Sequence, residues 1–296
     1  MIKNIDIDYP VELLELINSC LKPKDVEKKK YGEVFTPVSL INEMLDKLPI
    51  HVWKDKNLKW FDPAAGMGNY PVIIYLRLLE SLKEEIPDDL ERKKHILENM
   101  LYMSEINKKN VFVMKQIFDI ENKYKLNIYN GDSLKADYQE IFGLDKFDII
   151  VGNPPYQEST VTGISKGGGN NLYTRFIYLS YVLLKEEGYL VFITPPTFFS
   201  VGRSINKDDM NVRTDIFDVS KILYMNLDEC KKYFTGIGSK FIYYVLQKTN
   251  EPNDNLVIKC KYEKKIFDTV INQKSLNIMP YLPYLLTDMS ISICNK

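Results

Sequence analysis

Histidine is nearly absent from this sequence: His51 and His95 are the only two among 296 residues. The four cysteines, Cys20, Cys230, Cys260 and Cys294, are scattered, and no pair has metal-ligand or redox spacing. These scarcities argue against a zinc site, and no metal is expected. They also argue against a disulfide-stapled secreted fold, so a reducing, cytoplasmic setting fits better. No apolar stretch is long enough to cross a membrane, and the start of the chain carries Asp6 and Asp8 in place of an apolar signal run. No membrane partner is expected. Arginine is scarce too, being confined to Arg77, Arg92, Arg175, Arg203 and Arg213. Most cations are therefore lysines, which suit diffuse phosphate attraction better than bidentate base reading. A formal net charge of -1 argues against a broadly basic coating protein but leaves room for a local patch.

What is present is enough apolar residue, 45% of the chain, to bury a full core. Val11, Leu13, Leu14, Ile17 and Leu21 recur at helical spacing, and Lys22-Pro23-Lys24 ends that pattern. A second helical pattern runs through Leu40, Ile41, Met44, Leu45 and Leu48, with Thr36 suited to cap it and Pro37 to open it. Strand-like and helix-like segments then alternate. Strands are expected at 58–61, 101–106, 126–129, 147–151 and 189–194, and helices at 71–82, 110–119 and 172–184. Such alternation predicts an α/β fold with a doubly wound, mostly parallel sheet. Two later strands, 222–226 and 241–246, read as a hairpin-like antiparallel addition at the sheet edge. The run 249–255 reads as a surface linker. The expected organisation is a helical extension over 1–30, a catalytic domain over 31–248, and an appendage or the start of a recognition region over 249–296.

Four motifs carry chemistry. In Asp62-Pro63-Ala64-Ala65-Gly66-Met67-Gly68, a strand passes into a helix through small residues. Gly66 and Gly68 permit tight turning and close approach of a ligand to the backbone, with Ala64 small beside them. Asp62 suits acceptance of hydrogen bonds from an ammonium group. The same residues also suit a plain strand-to-helix turn. Glu105 closes the next strand, where a carboxylate can grip both ribose hydroxyls. Ile106 can lie against an adenine face. Asp132, after the third strand in Asn130-Gly131-Asp132, can accept from an exocyclic amine, although these are also ordinary turn residues.

The fourth motif is the most informative. The apolar strand Phe147-Asp148-Ile149-Ile150-Val151 runs into Gly152-Asn153-Pro154-Pro155-Tyr156. Two prolines remove two backbone donors and stiffen the intervening carbonyl. The Asn153 side-chain oxygen and the Pro154 carbonyl can both accept from a planar NH2 group. Tyr156 offers it an aromatic face. This arrangement orients a nitrogen lone pair towards an electrophile without a strong general base.

In this order, the four motifs resemble those of the S-adenosyl-L-methionine (AdoMet)-dependent adenine-N6 DNA methyltransferases, in the gamma arrangement with the cofactor half first. The resemblance covers about residues 31–248. It implies the class I methyltransferase fold, with an antiparallel edge strand. It implies that Phe35, Thr36 and Pro37 close over the methionine part of AdoMet. Asp62, Ala64, Gly66 and Gly68 would form the cofactor loop, with Glu105 and Ile106 at the ribose and adenine, and Asp132 near the adenine. Asn153 would border cofactor and target, and Asn153, Pro154, Pro155 and Tyr156 would form the catalytic motif. Asn171-Leu172-Tyr173-Thr174-Arg175-Phe176 and the stretch from Leu183 to Pro195 resemble methyltransferases fused to or associated with restriction enzymes.

The implied substrate is double-stranded DNA with its target adenine flipped out of the stack. The segment 159–171, with Gly163, Gly167, Gly168 and Gly169, is expected to lie near that base, with Lys166 suited to a phosphate. Lys28, Lys29, Lys30, Lys259, Lys261, Lys264 and Lys265 are candidate DNA contacts, solvated lysine being the plainer reading. Family members usually carry a sizeable recognition domain, so the resemblance also admits a separate specificity or endonuclease partner. The competing functions are methylation of RNA adenine or protein glutamine, and a non-catalytic nucleic-acid-binding subunit.

Overall fold

The computed structural model describes residues 7, 13, 36–156, 172–199, 211–227, 233, 241–249, 251, 253–262 and 265–277. The expected opening helix apart from Leu13, Lys28 to Lys30, Phe35, the segment 159–171 and Lys264 lie outside the described residues. Helix α1 (Val38–Leu45) buries Leu40, Ile41, Met44 and Leu45 along one stripe, as its spacing predicts. Its N-cap is Pro37, and no side chain caps it. Thr36 thus does not serve as the expected cap. Its hydroxyl is directed elsewhere, as described below.

The chain continues through β1 (Trp60–Asp62), α2 (Asn69–Ser81), α3 (Asp89–His95), β2 (Leu101–Glu105), α4 (Lys108–Phe118) and β3 (Asn127–Asn130). It then forms α5 (Tyr138–Phe142), β4 (Phe147–Gly152), α6 (Leu172–Leu183) and β5 (Leu184–Thr194). Strands β6 (Lys221–Asn226), β7 (Ile242–Gln247), β8 (Leu256–Tyr262) and β9 (Lys265–Ile271) follow. Among the described residues these strands form one sheet in the order β3-β2-β1-β4-β5-β7-β6-β8-β9. The pairs from β3 to β5 are all parallel. Strand β7 runs antiparallel to both β5 and β6, and the edge strand β9 is antiparallel to β8.

A parallel sheet covered on both faces needs strands that are apolar throughout. Strand β4 meets this need: Ile149, Ile150 and Val151 are all fully buried. Alternate residues feed two cores. One contains Trp60, Met103, Ile149, Val151, Val191 and Val245 beneath α1, α2 and α4. The other contains Phe61, Tyr102, Ile150, Leu190, Phe192 and Leu246 beneath α5 and α6. Phe61 and Phe147 stack there with ring centroids 4.4 Å apart.

The β6–β7 pair is the expected antiparallel hairpin-like unit, but it lies inside the sheet rather than at its edge. The reason is β8, which pairs parallel with β6 and carries β9 outward. A carboxylate knits this region to α1. Glu43 accepts from the hydroxyls of Tyr243 (2.8 Å) and Tyr233 (3.3 Å) and from Asn226 Nδ2 (3.2 Å), and lies 3.5 Å from Lys259 Nζ. No helix among the described residues is long and apolar enough to cross a membrane.

Candidate active site

The chain leaves β1 towards β2 and β3 on one side of the sheet, then returns to build β4 and β5 on the other. Sheets wound this way bind ligands outside the carboxyl ends of the strands where the winding reverses, here between β1 and β4. The loop after β1 carries Asp62 to Gly68, and the loop after β4 carries Asn153 to Tyr156. They approach closely: a Cβ at Gly152 would lie 3.0 Å from Asp62 Oδ1. The missing side chain at Gly152 lets the two motifs meet.

On the β1 side, Asp62 is buried and its Oδ1 accepts from the Ala64 N–H at 3.0 Å. Burial pushes its carboxyl up to about 8; the Ala64 N–H opposes the rise and the neighbouring Glu105 carboxylate adds to it. Glu105 is also buried, not solvent-facing at its strand end. Its two oxygens accept from Gly66 N (2.8 Å) and Asn107 N (2.7 Å), so the β1 loop and the start of α4 close on one carboxylate. Ile106, beside it, is 54% exposed and offers an apolar face.

Two hydroxyls brace these loops from below. Ser133 Oγ donates to the Pro63 carbonyl at 2.6 Å and lies 2.5 Å from Ser104 Oγ. Asn130 Nδ2 and the Gly131 N–H both donate to the Glu105 carbonyl. Asp132 Oδ1 accepts from Leu134 N at 3.1 Å, and its Oδ2 lies 3.4 Å from Lys135 Nζ. In this state Asp132 serves its own turn.

The two loop glycines differ. Gly66 (φ +57°) has nothing among the described residues within 4 Å of where a Cβ would stand, so open space adjoins it there. At Gly68 (φ +93°) that place is already crowded by Met114 Cγ at 3.1 Å and Phe118 Cε2 at 3.3 Å. Glycine at 68 therefore lets α2 pack on α4, while glycine at 66 leaves the crevice open. The Oδ1 of Asn69 is buried without a partner among the described residues, while its Nδ2 donates to the Thr36 carbonyl at 3.3 Å. A buried acceptor lacking a donor is costly unless a ligand supplies one. Open space at Gly66, the paired acceptors of Glu105, apolar Ile106 and the Asn69 oxygen together suit a cofactor with ribose hydroxyls, an aromatic base and an ammonium group.

On the β4 side, Pro154 is buried while Asn153, Pro155 and Tyr156 are half-buried. Asn153 Nδ2 donates to Thr36 Oγ1 at 3.0 Å. The Tyr156 hydroxyl donates to Asn153 Oδ1. The ring of Tyr156 lies against Phe241, with centroids 5.0 Å apart and planes tilted by 31°. At that distance the rings already touch, and no base fits between them. A flipped base would have to use the outer face of Tyr156 or part the two rings.

The fold thus gathers Thr36, Asp62, Ala64, Gly66, Glu105 and Asn153 to Tyr156 at one crevice, with Pro37 opening α1 alongside. Asp132 joins through its turn, and Phe35 lies outside the described residues. Sequence reasoning missed Asn69, Ser104, Asn107, Ser133 and Phe241. Asn107 had a legible signal, since its Oδ1 caps α4 at Lys109 N. Phe241 had none, because only the antiparallel insertion of β7 brings it to Tyr156.

Residues 51–226 match the model of the Eco57I restriction-modification methylase family. An uncharacterized adenine-specific methylase of Mycoplasma pneumoniae is 24% identical over 83% of this chain and 74% of its own length. The type II restriction enzyme and methyltransferase RM.Eco57I of Escherichia coli is 24% identical over 70% of this chain. The chain spans 27% of that longer relative. Among solved structures, the M protein of the type I restriction enzyme EcoKI superposes with a TM-score of 0.55 at 15% identity, covering 86% of this chain and 59% of that one. MmeI, a type IIL restriction-modification enzyme solved in complex with DNA, gives 0.57 at 16% identity, over 96% and 45% of the two chains. The likeness to these solved structures is one of fold.

Proposed function

This chain belongs to the Eco57I restriction-modification methylase family, and on that footing we propose that it transfers a methyl group from AdoMet to the N6 amine of an adenine flipped out of double-stranded DNA. The observation that carries the reading is the juxtaposition of an open, acceptor-lined crevice at Gly66 and Glu105 with the Asn153 amide across the β1–β4 switch point.

AdoMet supplies an electrophilic methyl on a sulfonium centre. Every other part of the chemistry falls to the chain. Glu105 would hold the ribose, Ile106 would offer its apolar face to the adenine, and Asp62 and Asn69 Oδ1 would accept from the cofactor's ammonium. Asn153 Oδ1 and the Pro154 carbonyl accept the two N–H bonds of the target amine. Holding both protons fixes the direction of the nitrogen lone pair, so the gain is one of orientation and electrostatics. Accepting from N–H also favours the positive charge that develops on nitrogen before its proton leaves. Tyr156 provides the stacking face that offsets part of the few kcal/mol spent on flipping.

The family's restriction-modification setting supports a DNA substrate over RNA or protein. The shared fold of the M protein of the type I enzyme EcoKI supports a specificity or nuclease partner. The test is incubation of the purified protein with methyl-labelled AdoMet and, in parallel, adenine-containing duplex DNA, RNA and protein. Label in DNA, recovered as N6-methyladenine, is expected. Label confined to RNA or protein would overturn the DNA reading.

A further inference from the structure

Resting on that reading, we propose that Thr36 is a positioning residue for methyl transfer: its side-chain oxygen holds the Asn153 amide so that Oδ1 faces the target amine. A carboxamide has nearly the same shape when its oxygen and nitrogen ends are exchanged, so hydrogen-bond partners decide which end faces a ligand. With the ends reversed, an NH2 would meet the NH2 of the target and hold nothing.

Among the described residues, two hydroxyls hold the amide with its productive end forward. The Tyr156 hydroxyl donates to Oδ1, and Thr36 Oγ1 accepts from Nδ2 at 3.0 Å. An amide oxygen accepts two hydrogen bonds, so the target amine takes the second lone pair of Oδ1 or displaces the tyrosine hydroxyl. Either way, the Thr36 contact persists on the far side of the amide.

Thr36 is built for this task. It is 3% exposed, so water is a poor substitute for its hydroxyl. It lies 117 residues from Asn153, so the contact is no by-product of a local turn. Its backbone is pinned on both sides. The Thr36 carbonyl accepts from Asn69 Nδ2, and the following Pro37 carbonyl accepts from Leu40 and Ile41 at the start of α1. The hydroxyl has no capping duty in that helix. The segment expected to close on the cofactor thereby also sets the orientation of the catalytic amide.

The test is steady-state and single-turnover kinetics of Thr36→Val, Thr36→Ser and Asn153→Ala, with AdoMet affinity by calorimetry and folding by thermal melting. Thr36→Val keeps the shape and removes the hydroxyl. It should lower kcat about tenfold, the scale of one lost hydrogen bond, with AdoMet affinity within about twofold of wild type. Thr36→Ser should restore most of the rate. Thr36→Val added to Asn153→Ala should cost little more than Asn153→Ala alone, since the amide it positions is gone. Wild-type protein that does not methylate DNA would overturn the underlying reading. Wild-type protein that does, combined with an unchanged kcat in Thr36→Val, a loss confined to AdoMet affinity, or full additivity with Asn153→Ala, would overturn the positioning role. Were Thr36→Val to melt early, the serine variant alone would decide: a rate as low as that of Asn153→Ala would overturn the role.

Discussion

The two halves of the crevice are held together differently. The cofactor half is tied largely through backbone groups. Glu105 accepts from two main-chain N–H groups, Asp62 from a third and Asp132 from a fourth. The target half rests on side chains meeting side chains, two of the three contacts across long stretches of sequence: Thr36 on Asn153, Tyr156 on Asn153, Tyr156 on Phe241. Backbone groups on strands and helix starts are fixed by the fold, whereas side-chain pairs can be exchanged for ligand contacts. The comparison teaches that one half is fixed by the fold, while the other rests on contacts that a ligand can exchange.

Mutations that separate the halves probe this contrast most directly. Asn153→Ala should reduce methyl transfer about a hundredfold or more while leaving AdoMet affinity nearly intact, as calorimetry beside a methylation assay would reveal. Glu105→Ala should do the reverse, weakening AdoMet binding about tenfold to a hundredfold with a smaller effect on kcat at saturation. Equal loss of AdoMet binding in both variants would erase the distinction. The glycine pair divides similarly. Gly68→Ala should lower stability by roughly 1–3 kcal/mol in denaturant titration, because its Cβ would press on Met114 and Phe118 in a left-handed backbone. Gly66→Ala faces open space, so its stability cost should be the smaller and its damage to AdoMet binding the larger of the two.

Tyr156→Phe sharpens the target half. It keeps the ring and removes the hydroxyl that competes for Asn153 Oδ1, so the KM for DNA should fall about two- to threefold. A rise in KM to the level of Tyr156→Ala would show that the hydroxyl, not the ring, matters. A further test is a pH slope. The raised carboxyl of Asp62 binds a proton in the folded state that the unfolded chain has already lost between pH about 4 and about 8. Its contribution to stability is therefore largest at low pH and declines as pH rises through that window. Asp62→Asn should flatten the decline; parallel melting profiles for the two proteins would contradict the assignment.

Much of the sheet was legible because its strands are short apolar runs bounded by turn residues. The expected strand at 101–106 and the helix at 172–184 fall within a residue of β2 and α6. The positions of Asp62, Glu105 and Asn153 were legible because Asp62 and Glu105 end their strands and Asn153 directly follows one. Two features were hidden. In β8 the inward residues Leu256, Ile258 and Cys260 alternate with Val257 and Lys259, but the preceding polar run drew attention to a linker. The role of Thr36 was hidden too, because its position before Pro37 is an ordinary helix start. Only the folded chain reveals that its hydroxyl meets a residue more than a hundred positions away.

Glu43 has a practical consequence for anyone trimming this protein to a minimal catalytic unit. Cutting at the polar run after β7 would look harmless on paper. It would remove Lys259 from beside Glu43 and strip the parallel neighbour from β6, leaving a raw, adhesive strand margin next to the helix that follows Thr36. A shortened version that keeps residues through 277 would retain that neighbour, and with it the footing on which Thr36 stands.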